Sequence, residues 1–175
     1  MTKNVKYKPV EFDAKLKSGT VEFSGITKVD VDNDNSGDYH LITFVLDDDK
    51  TGLDLQFRPI TNNLNDSPFW IQPIGQGCPQ VAAGMPGVVE PLFVSPNGKE
   101  LTVINYNAKV EEMRFALRLV EKASGKGHDY DPIMNNQNGG GRIDGSVDFA
   151  AVATVGLGVA AIAAVLYVTM YGGMS

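Results

Sequence analysis

The sequence predicts a mainly β fold: an antiparallel β-sandwich, Ig-like or similar, followed by one C-terminal transmembrane α-helix. Three observations carry this expectation. Short apolar stretches recur through residues 1–134 with Asp, Asn and Gly turn signals between them. Several of these stretches alternate apolar with polar residues, the period of a strand with one face buried. After Asp148 the chain carries no further charge up to its last residue, Ser175.

The strand expectation rests on Val21–Phe23, Ile26–Val31, His40–Leu46, Leu53–Ile60, Phe69–Ile71, Leu92–Val94, Leu101–Tyr106 and Met113–Val120. Leu53-Asp-Leu55-Gln-Phe57 and Met113-Arg-Phe115-Ala-Leu117-Arg-Leu119 show the alternation most strictly. Turn residues every ten or so positions suit a sandwich or barrel. One segment also fits a helix: Val110, Met113, Leu117 and Val120 share a helical face, and Glu, Leu, Arg and Lys favour helix. The strict alternation from Met113 to Leu119 is the tighter pattern, so a strand is expected there.

Between Pro73 and Pro91 the chain is rich in Gly and Pro and has no period. A long irregular stretch in a compact domain is often a binding loop. Cys78, Val81 and Met85 lie in it and are the expected partner contacts, set against a passive insertion at the sandwich edge. Cys78 is the only cysteine, so no internal disulfide forms. With no apolar run in Met1–Lys15, no secretory signal is expected, and both features suit a reducing compartment. Without export, the sequon Asn65-Asp-Ser67 stays unmodified.

Asn135-Asn-Gln-Asn-Gly-Gly-Gly-Arg142 reads as a polar, glycine-rich connector, and the linker is expected over residues 135–148. The run Phe149–Tyr171 is free of charge over about 23 residues, against roughly 20 needed to cross a bilayer core as a helix. The expected span is therefore 149–171, with a short tail at 172–175. Lys122, Lys126 and Arg142 precede the span and the tail is neutral, which places the large domain in the cytoplasm. At helical spacing Ala153, Gly156, Ala160 and Ala164 share a face that Tyr167 and Tyr171 continue. Val152, Val155, Val159, Ile162 and Leu166 lie broadly opposite. A small-residue stripe lets another helix approach closely, although Ala also serves simply as a good helix former. Gly156-Leu-Gly158-Val-Ala-Ala161 matches a dinucleotide fingerprint as a string but lacks the preceding strand and the later acidic residue. With no His, Asp, Glu, Lys or Arg, the span neither ligates a haem through imidazole nor relays protons.

Chemistry is sparse elsewhere. Asp32, Asp34, Ser36 and Asp38 alternate toward Gly37 like the opening half of a calcium loop. Position twelve is Thr43, however, which offers no bidentate carboxylate. An Asp/Asn-rich hairpin turn accounts for the same residues without an ion. His40 starts a strand, and His128 precedes Asp129 in a glycine-rich loop; neither adjoins a nucleophile motif. Ser124-Gly-Lys126-Gly lacks both the earlier Gly and the following Ser/Thr of a phosphate loop. Glu111-Glu112 and Asp47-Asp-Asp49 read as solvent-facing decoration. The net charge of −6 makes phosphate backbones poor partners, so nucleic acid is not expected.

No enzyme activity and no cofactor are expected. The reading is an accessory or structural subunit of a multi-subunit membrane complex, of photosynthetic or respiratory type. It would be anchored by its C-terminal helix, with integral membrane subunits and the lipid bilayer as partners. A structural protein of a membrane-containing virus and a tail-anchored calcium-responsive adaptor are the alternatives.

Overall fold

The computed structural model describes residues 5–31, 39–73, 88–107 and 111–136. They form two packed sheets. The first holds β1 (Val5–Lys17), β2 (Thr20–Ser24), β4 (Tyr39–Lys50), β7 (Val89–Val94) and β8 (Glu100–Asn105), in the order β2-β1-β4-β8-β7. The second is built on the long strand β9 (Glu111–Glu121). β6 (Phe69–Pro73) pairs with Met113–Leu117 of β9 and β5 (Leu55–Phe57) with Leu119–Glu121. β11 (Ile133–Asn136) pairs with Glu111–Arg114 and β10 (Gly127–Tyr130) with Leu117–Val120. Met113 and Leu117 each pair twice, so β6/β5 and β11/β10 must flank β9 on opposite sides. β3 (Lys28–Val31) lies outside β11.

The mainly β, two-sheet expectation is met, but the pairing is not wholly antiparallel. β1 runs parallel to β4, and β11 parallel to β3. Parallel neighbours need a crossover. Here the chain leaves the first sheet after β2, contributes β3 to the second, and returns as β4 in the direction of β1. The ambiguous segment is the strand β9. Its inward residues Met113, Phe115, Leu117 and Leu119 are fully buried, which strand alternation achieves and a helix in this position would not.

The eight apolar segments predicted from the sequence all contribute to observed strands. Three further strands were not predicted. β1 carries its own signal, because Val10, Phe12, Ala14 and Leu16 alternate with Glu, Asp and Lys. β10 and β11 are four residues each and include His128, Asp129 and two asparagines; their strand character comes from pairing with β9. His128 is therefore a strand residue and not part of a glycine-rich loop. β11 also runs to Asn136, two residues into the segment read as a connector.

Side chains from both inner faces meet in one core, including Phe12, Ile42, Phe44, Phe69, Phe115 and Met134. Phe44, Phe69 and Phe115 pack with ring centroids 5.3–6.2 Å apart. Burying each such side chain stabilises by roughly 2–3 kcal/mol. The Tyr130 hydroxyl donates to the Ile26 carbonyl and accepts from the Ile26 amide at 3.0 Å, while its ring stacks on Phe12 and Phe23. One residue thus closes the corner between β2 and β3 over β10. β4 is buried on both faces: Tyr39 and Leu41 form a second cluster with Ile104, and Thr43 bonds Thr102 hydroxyl to hydroxyl at 2.8 Å.

Candidate functional site

The residues singled out from the sequence lie outside the described residues: Asp32, Asp34, Ser36 and Asp38 of the acidic turn, Cys78, Val81 and Met85 of the loop, and Ala153, Gly156, Ala160, Ala164 and Tyr167 of the apolar run. No helix among the described residues is long and apolar enough to cross a membrane. Among them there is also no group of three His, Cys, Asp or Glu placed to hold a metal.

Beside surface pairs such as Lys17–Glu22 and Lys28–Glu112, three clusters engage buried or half-buried charged side chains. The first centres on Lys99. Its ammonium donates to Asp48 Oδ1 and Oδ2 at 2.8 and 2.9 Å, to Asp54 Oδ1 at 3.0 Å and to the Leu55 carbonyl at 2.7 Å. Asp48 also accepts the Leu55 amide at 2.6 Å. Asp48 is buried, which corrects its reading as solvent-facing decoration: on β4 it points toward Lys99, while Asp47 and Asp49 on either side are exposed. Asp48, Asp49, Gly52 and Asp54 line a cavity with Lys99, whose ammonium supplies the positive charge to the Asp48 and Asp54 carboxylates. Its hydrogen bonds to Lys99 hold Asp54 below the usual carboxylate range. Burial alone would lower Lys99, but its bonds to Asp48 and Asp54 outweigh this and raise it.

The second cluster has the composition of a catalytic triad without its connectivity. The Ser124 hydroxyl donates to Glu121 Oε2, and His128 Nε2 lies 2.9 Å from Glu121 Oε1. In a working triad the imidazole stands between hydroxyl and carboxylate and takes the hydroxyl proton. Here the carboxylate stands between them, so the imidazole is not placed to take the Ser124 proton, and the contacts tie Ser124 and His128 to Glu121 across the β9–β10 hairpin. Glu121 is held low, first by the Ser124 bond and then by His128.

The third lies on the outward face of the second sheet. The Arg118 guanidinium sits 3.5 Å from the centroid of Trp70. It donates to the Asn65 carbonyl and, at 3.3 Å, to that of Ser67, and pairs with Asp129 at 3.4 Å. The short helix Leu64–Asp66 and its flanks thus fold down over Arg118, which is buried. Burial and then neighbouring Arg58 lower its pKa, opposed by Asp129.

One further cavity is lined by Lys6, Tyr7, Lys8, Asp30 and His40, and another is apolar. β7 ends the first sheet and β5 lies at a margin of the second, and between them runs a groove of about 570 Å³. Phe57, Ile60, Leu92, Phe93, Val94 and Pro96 supply its apolar lining. None of its lining residues is ionisable, in a chain with 36 charged residues (15 basic plus 21 acidic). Its size lies within the roughly 300–1,000 Å³ of ligand sites. Of its lining residues Ile60 is 42% exposed, while Phe57 is buried. Pro91 and the register shift between Pro91 and Phe93 blunt the β7 edge against ladder extension, so an occupant is held by side chains more than by strand addition. No local pattern marks this groove, because its walls come from segments some 35 residues apart on two sheets.

No protein-family model matches the chain, and no curated protein matches it.

Proposed function

We propose that the chain is a non-catalytic accessory or structural subunit of a membrane protein complex, of the photosynthetic or respiratory type. Its β-sandwich meets a partner subunit on the cytoplasmic side, and its apolar C-terminal run is the membrane tether. The observation that carries this reading is the uncharged groove between β5 and β7, on a domain whose buried charges Asp48 and Arg118 are already held by Lys99 and by Asp129 with the Ser67 carbonyl. Apolar surface at a sheet margin, with a large side chain half out of it, is the chemistry of a protein contact. The charge-free sequence Phe149–Tyr171 supports the tether.

The test is co-purification of the full chain in mild detergent. Ile60→Asp puts a charge into the groove lining, where it is tolerated by the fold but not by an apolar partner. It is expected to weaken the complex at least tenfold while the melting temperature changes little. Recovery of the variant with the same partners in the same amounts would overturn the role of the groove.

A further inference from the structure

We propose that Asn97 is a deamidation site which the folded hairpin holds unreactive, and that its conversion loosens one wall of the groove between β5 and β7. Asn97 is exposed at the tip of the β7–β8 turn and is followed by Gly98. Gly98 has φ +72°, and a Cβ there would meet the Gln56 Cβ at 2.7 Å, so the fold demands glycine at this place. A following glycine is also the residue that least obstructs attack by its own backbone nitrogen.

The reaction balances with water alone. The Gly98 nitrogen, after giving its proton to water, bonds to Asn97 Cγ; the Cγ–Nδ2 bond breaks as Nδ2 takes a proton from water, and ammonia leaves, closing a succinimide. One water then opens the ring to aspartate or isoaspartate at position 97. In the folded turn both reacting groups are engaged. The Gly98 amide donates to the Ser95 carbonyl at 2.8 Å, and Asn97 Oδ1 accepts from Ser95 Oγ at 2.7 Å and the Lys99 amide at 3.1 Å. Attack requires these bonds to open.

The consequence reaches the groove. Isoaspartate adds a carbon to the main chain just before Gly98, whose carbonyl accepts the Phe57 amide at 2.8 Å and so joins the turn to β5. Ser95, Pro96 and Gly98 line the groove, so displacing them opens its wall.

The experiment ages the full chain in mild detergent at mildly alkaline pH and follows position 97 by peptide mass spectrometry. The folded chain is expected to convert about 30-fold more slowly than the urea-unfolded chain, as for a reaction gated by local opening. Ser95→Ala is expected to speed the folded reaction roughly fivefold and leave the unfolded rate unchanged. Equal folded and unfolded rates, or a folded rate indifferent to Ser95→Ala, would overturn the protection. Amide exchange of the isolated isoaspartate form reads the second half: Phe57 and Gly98 should exchange faster while Leu117 does not change. Unaltered exchange at Phe57 would sink the link to the groove.

Discussion

Lys99 shows how one side chain can replace an ion. Three carboxylate oxygens and a carbonyl converge on its ammonium from β4, β5 and the turn between them. Removing it by Lys99→Ala leaves the buried Asp48 with only the Leu55 amide, and is expected to cost about 2–3 kcal/mol in urea unfolding. A loss below about half a kcal/mol would show the cluster to be incidental. The pH dependence follows from the two shifts. The raised Lys99 contributes fully below the ordinary lysine value, and that contribution disappears as pH rises through its folded value. The depressed Asp54 contributes above the ordinary carboxylate value, and this is lost as pH falls through its lowered one. The clamp therefore holds across the neutral range and fails at both ends. Glu121 behaves as Asp54 does, so the β9–β10 hairpin should fray at acid pH, visible as faster amide exchange at Lys126 and His128.

At the scale of the element, β9 organises the second sheet. Four strands pair with it, two on each side. Its inward face fills the core. Its outward face carries Arg118, on which the segment around Leu64–Asp66 rests. Arg118→Met keeps the apolar stem but leaves the Asn65 and Ser67 carbonyls without their donor. The expected loss is about 2 kcal/mol, with a change in Trp70 fluorescence as the stacked cation disappears. Unchanged fluorescence and stability would mean that the stack carries no energy. The alternation that exposed β9 in the sequence was legible because burying one face imposes a local period of two. β1 shows the same period from Val10 to Leu16, beside a stretch of lysines that conceals it. β10 and β11 have no such pattern, since four residues make a strand only when a partner is in place.

For the whole molecule, the proposed tether gives a further prediction. In the full chain, Gly156→Leu with Ala160→Leu would fill the small-residue stripe. The chain is expected to remain membrane-bound but to separate from its complex in mild detergent. Retention of the complex would remove the packing role of that stripe. Combined with Ile60→Asp, the variant also tells whether the groove and the stripe hold the same complex.

From the sequence alone came the β-rich character of the domain, eight apolar segments that contribute strands, the alternation of Leu55–Phe57 and Met113–Leu119, and the long uncharged run that follows. Each of these is a local property, readable from neighbours two or a few residues apart. Only the tertiary structure decided that β4 returns parallel to β1, that Asp48 is buried against Lys99, that Glu121 stands between Ser124 and His128, and that an uncharged groove opens between β5 and β7. Most of these features join residues far apart in the chain, and the Glu121 cluster depends on side-chain directions set by the hairpin. Their energies come from contacts that exist only once the two sheets have closed.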